Sequence, residues 1–227
     1  MGKPVCVVVG IGPKNGRAFA VRFANEGYAV ALLSRSTGYS SGIAEEIGGN
    51  AYACDVTDPA AIKSAFAKVR NDLGDVDVLL YNVGTGQFGR FDDVPDEDFE
   101  KGWHVNVRGL LQSTREVVGP MQQSGSGAII ITGATASLRG KPFTAAFASA
   151  KAAQRSLAQS FARQLGPEGI HVALVIVDGG IGTDEQTGDQ GIHLRPSDIA
   201  ETVYHLATQP KSAWSFEVDV RPFKEIW

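Results

Sequence analysis

Glycines recur at intervals of two and four residues where the first apolar run of the chain, at 4–9, ends. A glycine-rich turn between a buried strand and a helix lets the amides of the helix N-terminus bind a pyrophosphate, because glycine permits close approach. We expect this turn to bind a dinucleotide; the alternative is a strand–helix connection without a ligand. The residues assigned to this contact are Gly10, Gly12, Lys14, Asn15 and Gly16.

The end of the second apolar run, at 28–34, indicates which dinucleotide is bound. A site for NAD usually places an acidic side chain here, whereas the 2′-phosphate of NADP calls for an arginine. The run ends in Ser34 and Arg35, without a carboxylate. Arginine binds phosphate through two parallel hydrogen bonds, and the serine adds a hydroxyl. The prediction is therefore NADP(H) in preference to NAD(H).

Four further motifs follow in a fixed order, at 54–57, 81–84, 105–109 and 150–153, and a glycine-rich loop follows at 179–183. With the first turn, they make the chain resemble the short-chain dehydrogenase/reductase family over essentially its whole length. The resemblance implies an active-site asparagine and lysine at Asn106 and Lys151. It also implies a further set of cofactor-binding residues: Asp55, Val56, Asn82, Val83, Gly84, Lys151, Gly179, Ile181 and Thr183.

The chain departs from the family pattern where the proton donor is expected. The family's Tyr-x-x-x-Lys reads Phe147 to Lys151 here, and phenylalanine has no ionisable hydroxyl to act as an acid or base. The family's substrate-polarising serine falls on Ala134, with hydroxyls nearby at Thr135 and Ser137. Asp178 stands where a proline is usual, and Lys14 replaces the middle glycine of the phosphate turn.

Three functions remain open on these residues. The favoured one is an NADP(H)-dependent oxidoreductase for a small carbonyl or alcohol, in which Thr135 or Ser137 polarises the substrate oxygen. A water held by Asn106 and Lys151 would then deliver the proton. In the second, the substrate brings its own proton donor or is an iminium-like electrophile. In the third, the protein binds NADP(H) without turnover, as a sensor or structural partner.

The elements that must position these residues alternate strictly between short apolar runs and longer amphipathic ones. This order predicts one doubly wound, Rossmann-type α/β domain over 1–227, with a parallel sheet of seven strands and helices on both faces. A short helix is predicted at 43–47, long helices at 96–118 and 143–165, and a short substrate lid at about 184–195.

Composition excludes several classes of protein. The 227 residues include 27 glycines and carry a net charge of −4, without the basic surface of a nucleic-acid binder. No apolar stretch approaches the roughly 18 residues of a membrane span, and the first apolar run is too short for a signal peptide. Two cysteines within apolar runs indicate free thiols. We expect a cytoplasmic protein that acts on a small molecule and binds no metal.

The substrate side is less specific. Candidate pocket residues are Trp103, His104, Phe143, Phe147 and His193, although aromatic residues at helical spacing are more often core. His193, in the loop before the last helix, is a candidate substitute acid. The helix at 143–165 is rich in alanine and serine, which permits close packing against another helix. The family resemblance implies that it contributes to a homodimer or homotetramer.

Overall fold

Seven strands form one parallel sheet within residues 2–85, 87–183 and 191–226, the part of the chain that the computed structural model describes. Their order across the sheet is β3-β2-β1-β4-β5-β6-β9, which confirms the predicted doubly wound fold. The strands are β1 (Val5–Val9), β2 (Ala29–Ser34), β3 (Asn50–Ala53), β4 (Val78–Tyr81), β5 (Gly127–Ala134), β6 (Ile170–Val177) and β9 (Glu217–Val220). The strand order reverses between β1 and β4, and folds of this kind bind ligands at this point.

The central strands are apolar throughout because both of their faces are covered. Every residue of β1, β4 and β6 is buried, as expected for parallel strands with helices on both sides. The helices are α1 (Asn15–Asn25), α2 (Thr37–Ile47), α3 (Pro59–Leu73), α4 (Asp96–Trp103), α5 (Gly109–Ser124), α6 (Ala145–Leu165) and α7 (Pro196–Ala207). Helices α3, α5 and α6 pack on one face of the sheet, and α1, α2 and α7 on the other.

Two predicted helices differ from those observed. The predicted helix at 43–47 begins six residues earlier, at Thr37, and the buried Ser40 ties its first turn to the end of β2 through a hydrogen bond with Ser34 Oγ. The helix predicted at 96–118 is not continuous. A π-helical turn, His104–Arg108, separates α4 from α5. It holds the buried Asn106 at the edge of the site.

The predicted lid is described only at its end. Residues 184–190 lie outside the described residues. After them, the two-residue strand β8 (His193–Leu194) pairs in parallel with β7 (Gly180–Ile181), which follows β6. That residues 1–227 form a single domain with a lid at 184–195 stays a prediction. Within the described part of the chain, no helix is long and apolar enough to cross a membrane.

Candidate functional site

The first glycine turn combines a close backbone contact with an open face. Gly10 has a φ of +97°, which favours glycine, and its amide donates to the Leu33 carbonyl at 2.9 Å. A Cβ on Gly16 would lie 2.5 Å from the carbonyl oxygen of Gly10, so α1 can begin here only without a side chain. A Cβ on Gly12 would meet nothing within 4 Å. The turn thus leaves free space beside Gly12, at the N-terminus of α1.

Lys14 and Asn15 join this turn to the opposite side of the site. The Lys14 ammonium donates to the Ile181 carbonyl, beyond the end of β6. Asn15 is buried, and its Oδ1 has no hydrogen-bond partner among the described residues. A buried acceptor without a partner is unusual in a folded protein and is typical of a site that a ligand completes. Both residues line the second of the two grooves described below.

A groove of about 670 Å³ runs over the carboxyl ends of β1 to β4. It is lined in part by Gly10, Gly12, Ser34, Arg35, Asp55, Val56, Asn82, Val83, Gly84 and His104. Arg35 is exposed there and faces the Asp55 carboxylate. The Ser34 hydroxyl is already bonded to the Ser36 carbonyl at 2.8 Å. Arg35 is therefore the exposed cation that the end of β2 offers to a ligand in this groove.

The Asp55 carboxylate is fixed by the residue two positions later. Its Oδ1 accepts from the Thr57 amide at 2.9 Å and from Thr57 Oγ1 at 2.8 Å. These bonds lower the pKa of Asp55, and the nearby charges of Arg35 and Lys101 lower it further. The carboxylate is therefore ionised and held in one orientation at neutral pH.

Asn82 ties together the three strand ends at the centre of the site. Its Nδ2 donates to the Gly10 carbonyl at 2.9 Å, and its Oδ1 accepts from Thr132 Oγ1 at 3.0 Å. Asn82 and Gly84 line both this groove and a second one of about 650 Å³. The two grooves are therefore continuous, and an extended ligand can pass from one to the other.

A buried network holds Lys151 at the junction of the grooves. Lys151 Nζ donates to the Thr132 carbonyl at 3.1 Å and to Gln154 Oε1 at 3.0 Å. Gln154 Nε2 donates in turn to the Asn106 carbonyl at 3.0 Å. Gln154 is fully buried, and its position three residues after Lys151 on the same helix was the sequence signal for this contact. An amide side chain thus connects the two residues between which a water was expected.

One donor and one acceptor of this network remain available. An ammonium group has three donors, and two of those on Lys151 are used. Asn106 Nδ2 donates to the Thr85 and Gly102 carbonyls, whereas its buried Oδ1 has no partner among the described residues. A Cβ on Gly84 would lie 3.2 Å from Lys151 Nζ and 3.7 Å from Asn106 Oδ1. Both polar atoms therefore border the same space beside Gly84.

Burial also changes the protonation of Lys151. Desolvation lowers the pKa of its ammonium from 10.5 to about 7, since no carboxylate offsets the loss of water. The amine therefore exchanges protons near neutral pH. A ligand that adds a hydrogen-bond acceptor or a negative charge beside Gly84 would favour the protonated form.

The second groove is the substrate-sized cavity. It is lined in part by Phe88, Phe143, Phe147, Thr135, Arg139, Lys141, Lys151, Asp178, Gly179, Ile181, Glu225 and Ile226. No tyrosine is among its described lining residues. The Phe147 ring lies 5.3 Å from that of Phe88, centroid to centroid, and presents only carbon to the cavity. Sequence reasoning did not assign Phe88, Arg139, Lys141, Glu225 or Ile226, since their loops reach the cavity only through the fold.

The Thr135 hydroxyl donates its proton to the Asp178 carboxylate. Its Oγ1 lies 2.8 Å from Asp178 Oδ1 and 3.2 Å from the Val177 carbonyl oxygen. A hydroxyl has a single proton, so Thr135 turns lone pairs and not a donor toward the cavity. Asp178 is buried and ion-paired with Arg139 at 3.7 Å and Arg221 at 3.4 Å. The replacement of the usual proline by Asp178 was the only signal of this cluster.

Several predicted site residues lie elsewhere. Ser137 is not among the cavity-lining residues, because the tight turn after β5 directs its hydroxyl to the Ala134 carbonyl at 2.7 Å. His193 pairs along β8 and lines a separate groove, so the structure does not bring it to the cavity as an acid. Thr183 and Trp103 line neither of the two continuous grooves. Gly16 packs against the backbone of Gly10 and lines neither groove.

Comparison with known proteins places these features in context. A family model described as short chain dehydrogenase matches residues 4–190. A D-xylose 1-dehydrogenase from Caulobacter vibrioides is 32% identical over 190 residues, which cover 82% of this chain and 74% of that protein. The residues that the family model matches include the glycine turn, the Asn106 segment and the helix that carries Lys151.

Solved structures share the whole fold. An alcohol dehydrogenase from the archaeon Thermococcus sibiricus, complexed with 5-hydroxy-NADP, has a TM-score of 0.87 and 27% identity, covering 97% of each chain. A 3-ketoacyl-(acyl-carrier-protein) reductase from Brucella melitensis, complexed with NADH, has a TM-score of 0.87 and 25% identity, covering 99% of each chain. Both NADP-type and NAD-type ligands therefore occur on this fold.

Proposed function

This chain belongs to the short-chain dehydrogenase family, and on that premise we propose that it is an NADP(H)-dependent oxidoreductase. The reaction is hydride transfer to or from a small carbonyl, alcohol or imine-like compound. The proposal is carried by the convergence beside Gly84 of Lys151 Nζ and of Asn106 Oδ1, which has no hydrogen-bond partner in the described part of the chain. The two grooves meet at this point.

The residues present fit a nicotinamide dinucleotide. The open space beside Gly12, at the start of α1, suits a pyrophosphate, which the amides there would bind. Asp55 and Val56 would hold the adenine end and Arg35 the 2′-phosphate.

Lys151 would donate its third hydrogen bond to a ribose hydroxyl, and Asn106 Oδ1 would accept one. When bound, the nicotinamide supplies the hydride chemistry, and the protein supplies orientation and a proton route. Gly179 and Ile181 would line the nicotinamide end.

Arg35→Asp tests the preference for NADP(H). We expect NADPH to bind about 10–100-fold more weakly, because a charge-assisted bond is lost and a carboxylate repels the 2′-phosphate. NADH, which lacks that phosphate, should bind at least as well as before. Calorimetric titration of both cofactors measures the effect. Arg163→Asp makes the same charge change at an exposed site on α6 and should alter neither affinity. An equal loss for both cofactors from Arg35→Asp would disprove the phosphate contact.

Phe147→Tyr tests whether the missing hydroxyl limits turnover. Position 147 lines the cavity one helical turn before Lys151, so a tyrosine would place an ionisable hydroxyl beside a lysine whose pKa is about 7. Because general acid–base assistance is worth about 10²–10⁴-fold, we expect turnover to rise by about 10²-fold. The measurement is kcat against pH. Phe99→Tyr, on the exposed side of α4, is the matched control. Unchanged turnover in Phe147→Tyr would place position 147 outside the proton route.

A second candidate function is NADP(H) binding without turnover. It is favoured because no hydroxyl at these three positions is available to protonate or polarise a substrate oxygen. Phe147 has no hydroxyl, Thr135 donates to Asp178, and Ser137 donates to the Ala134 carbonyl, away from the cavity. Titration with NADPH and NADP⁺, followed by a screen of carbonyl and imine substrates, separates the two functions. Tight binding with no turnover across the screen would support this second candidate over the oxidoreductase.

The assembly and location of the protein are part of the proposal. The exposed positions Ser149, Ala152, Ser156 and Ser160 form a stripe of small side chains along α6, which suits close packing in a homodimer or homotetramer. Both cysteines are free and buried, as is usual in the reducing cytoplasm. Sedimentation velocity on the purified chain tests the proposed homodimer or homotetramer. A monomer at micromolar concentration would contradict it.

A further inference from the structure

The chain after β9 folds back over the substrate-sized cavity and is fixed by several contacts. The Phe223 ring packs directly on Gly191, where a Cβ would lie 2.1 Å from the ring, and the Lys224 amide donates to the Gly191 carbonyl at 3.2 Å. Pro222 lies 2.8 Å from the position of a Cβ on Gly179. The segment 221–226 is therefore seated on the loop after β6 and on the end of the predicted lid.

The base of this segment is anchored by charge. Arg221 pairs with Asp178 at 3.4 Å and with Asp219 at 3.0 Å, and its side chain is largely buried. Asp178 also accepts the Thr135 hydroxyl. One ion-pair cluster thus links the segment 221–226 to the edge of the cavity where the proposed reaction takes place.

The end of the segment supplies part of the cavity wall. Glu225 and Ile226 line the cavity, whose apolar surface also includes Phe88, Phe143 and Phe147. Phe88 is 64% exposed, Phe143 52% and Ile226 86%. Large apolar side chains that are exposed within a concave site typically bind an apolar ligand. Rings of this kind favour a flat partner, because aromatic groups stack or meet edge to face.

We propose that the segment 221–226 is the wall that selects a substrate with an aromatic or similarly flat apolar group beside the reacting carbon. That group packs between Ile226 and the phenylalanines. The identity of the reaction rests on the proposed function, whereas binding of the apolar group does not require turnover. The cavity of about 650 Å³, which the substrate would share with the nicotinamide end of the cofactor, is of the size that small-molecule sites have.

Binding of two ketones to the 227-residue chain with saturating NADP⁺ tests the proposal. Benzylacetone and butanone differ by one phenyl ring, and ligand-observed NMR titration measures both affinities without turnover. We expect the unmodified protein to bind benzylacetone at least about 10-fold more tightly, as one buried phenyl group allows. Ile226→Asp should reduce this ratio to about 3-fold or less, because burying the ring against a carboxylate is unfavourable.

Two further variants serve as a control and as a milder replacement of Ile226. Leu138→Asp places the same charge at an exposed apolar position that does not line the cavity, and should preserve the ratio. Ile226→Ala, which adds no charge, should lower the ratio in the same direction if Ile226→Asp does not fold. An unmodified protein that binds both ketones equally, or an Ile226 variant with an unchanged ratio, would overturn the proposal. Selective binding without turnover counts against the oxidoreductase only.

Discussion

Replacing Lys151 with methionine is expected to weaken NADPH binding by about 10–100-fold, since a hydrogen bond from a charged group contributes about 1.5–3 kcal/mol. Methionine fills a similar volume but offers no donor to the space beside Gly84. The loss should be measurable by calorimetry at pH 7. Lys63→Met, at an exposed position of α3, should leave the affinity unchanged. Equal affinity in Lys151→Met and the unmodified chain would mean that the ammonium does not contact the cofactor.

The same substitution is expected to stabilise the folded protein at low pH. The folded-state pKa of Lys151 is about 7, below its ordinary value of 10.5, so the unfolded chain binds more protons between these values. The cost of the buried charge is complete below pH 7 and disappears as pH rises to 10.5. Lys151→Met should therefore be more stable than the unmodified chain by a few kcal/mol at pH 6, and by less at pH 10.

Urea unfolding of both proteins at pH 6 and pH 10 measures this difference. The part of the change that comes from lost bonds to Thr132 and Gln154 is present at both pH values, whereas the charge effect is not. A stability difference that is the same at the two pH values would show that burial does not lower the pKa of Lys151 in the folded state.

The glycines of the first turn are expected to separate folding from cofactor binding. Gly16→Ala should destabilise the protein by about 1–3 kcal/mol, because its Cβ would lie 2.5 Å from the Gly10 carbonyl oxygen and backbone must shift. Gly12→Ala should leave stability nearly unchanged, since a Cβ there meets nothing within 4 Å. Yet it should weaken NADPH binding by about 100-fold, since the methyl group occupies the space of the pyrophosphate and a phosphate bond is lost.

Thermal unfolding without cofactor and calorimetric titration with NADPH distinguish the two effects. Gly38→Ala, in α2 and also without a close neighbour, controls for the general effect of replacing a glycine. Full NADPH affinity in Gly12→Ala would show that no ligand approaches this face of the turn. Undiminished stability in Gly16→Ala would contradict the packing of α1 against the end of β1.

Much of the fold was predictable because its signals are local. Continuous apolar runs that are buried on both faces, such as β1 and β6, alternate with amphipathic segments that glycine or proline delimits. The break at His104–Arg108 was not predictable, because a helical pattern continues through it. The turn holds Asn106, whose Nδ2 donates to the Thr85 and Gly102 carbonyls, and the contact with Thr85 exists only in the folded chain.

The site divides in the same way. By itself the sequence determined the family, the parallel doubly wound sheet and the residue types of the cofactor groove, because glycine turns and strand ends lie next to each other in the chain. Tertiary structure alone decided the partners of two polar groups: Thr135 donates to Asp178, and Lys151 donates to the Thr132 carbonyl. Such bonds depend on which strand ends and loops meet at the edge of the sheet. The cavity wall at 221–226 likewise arises from a contact between segments that are far apart in the chain.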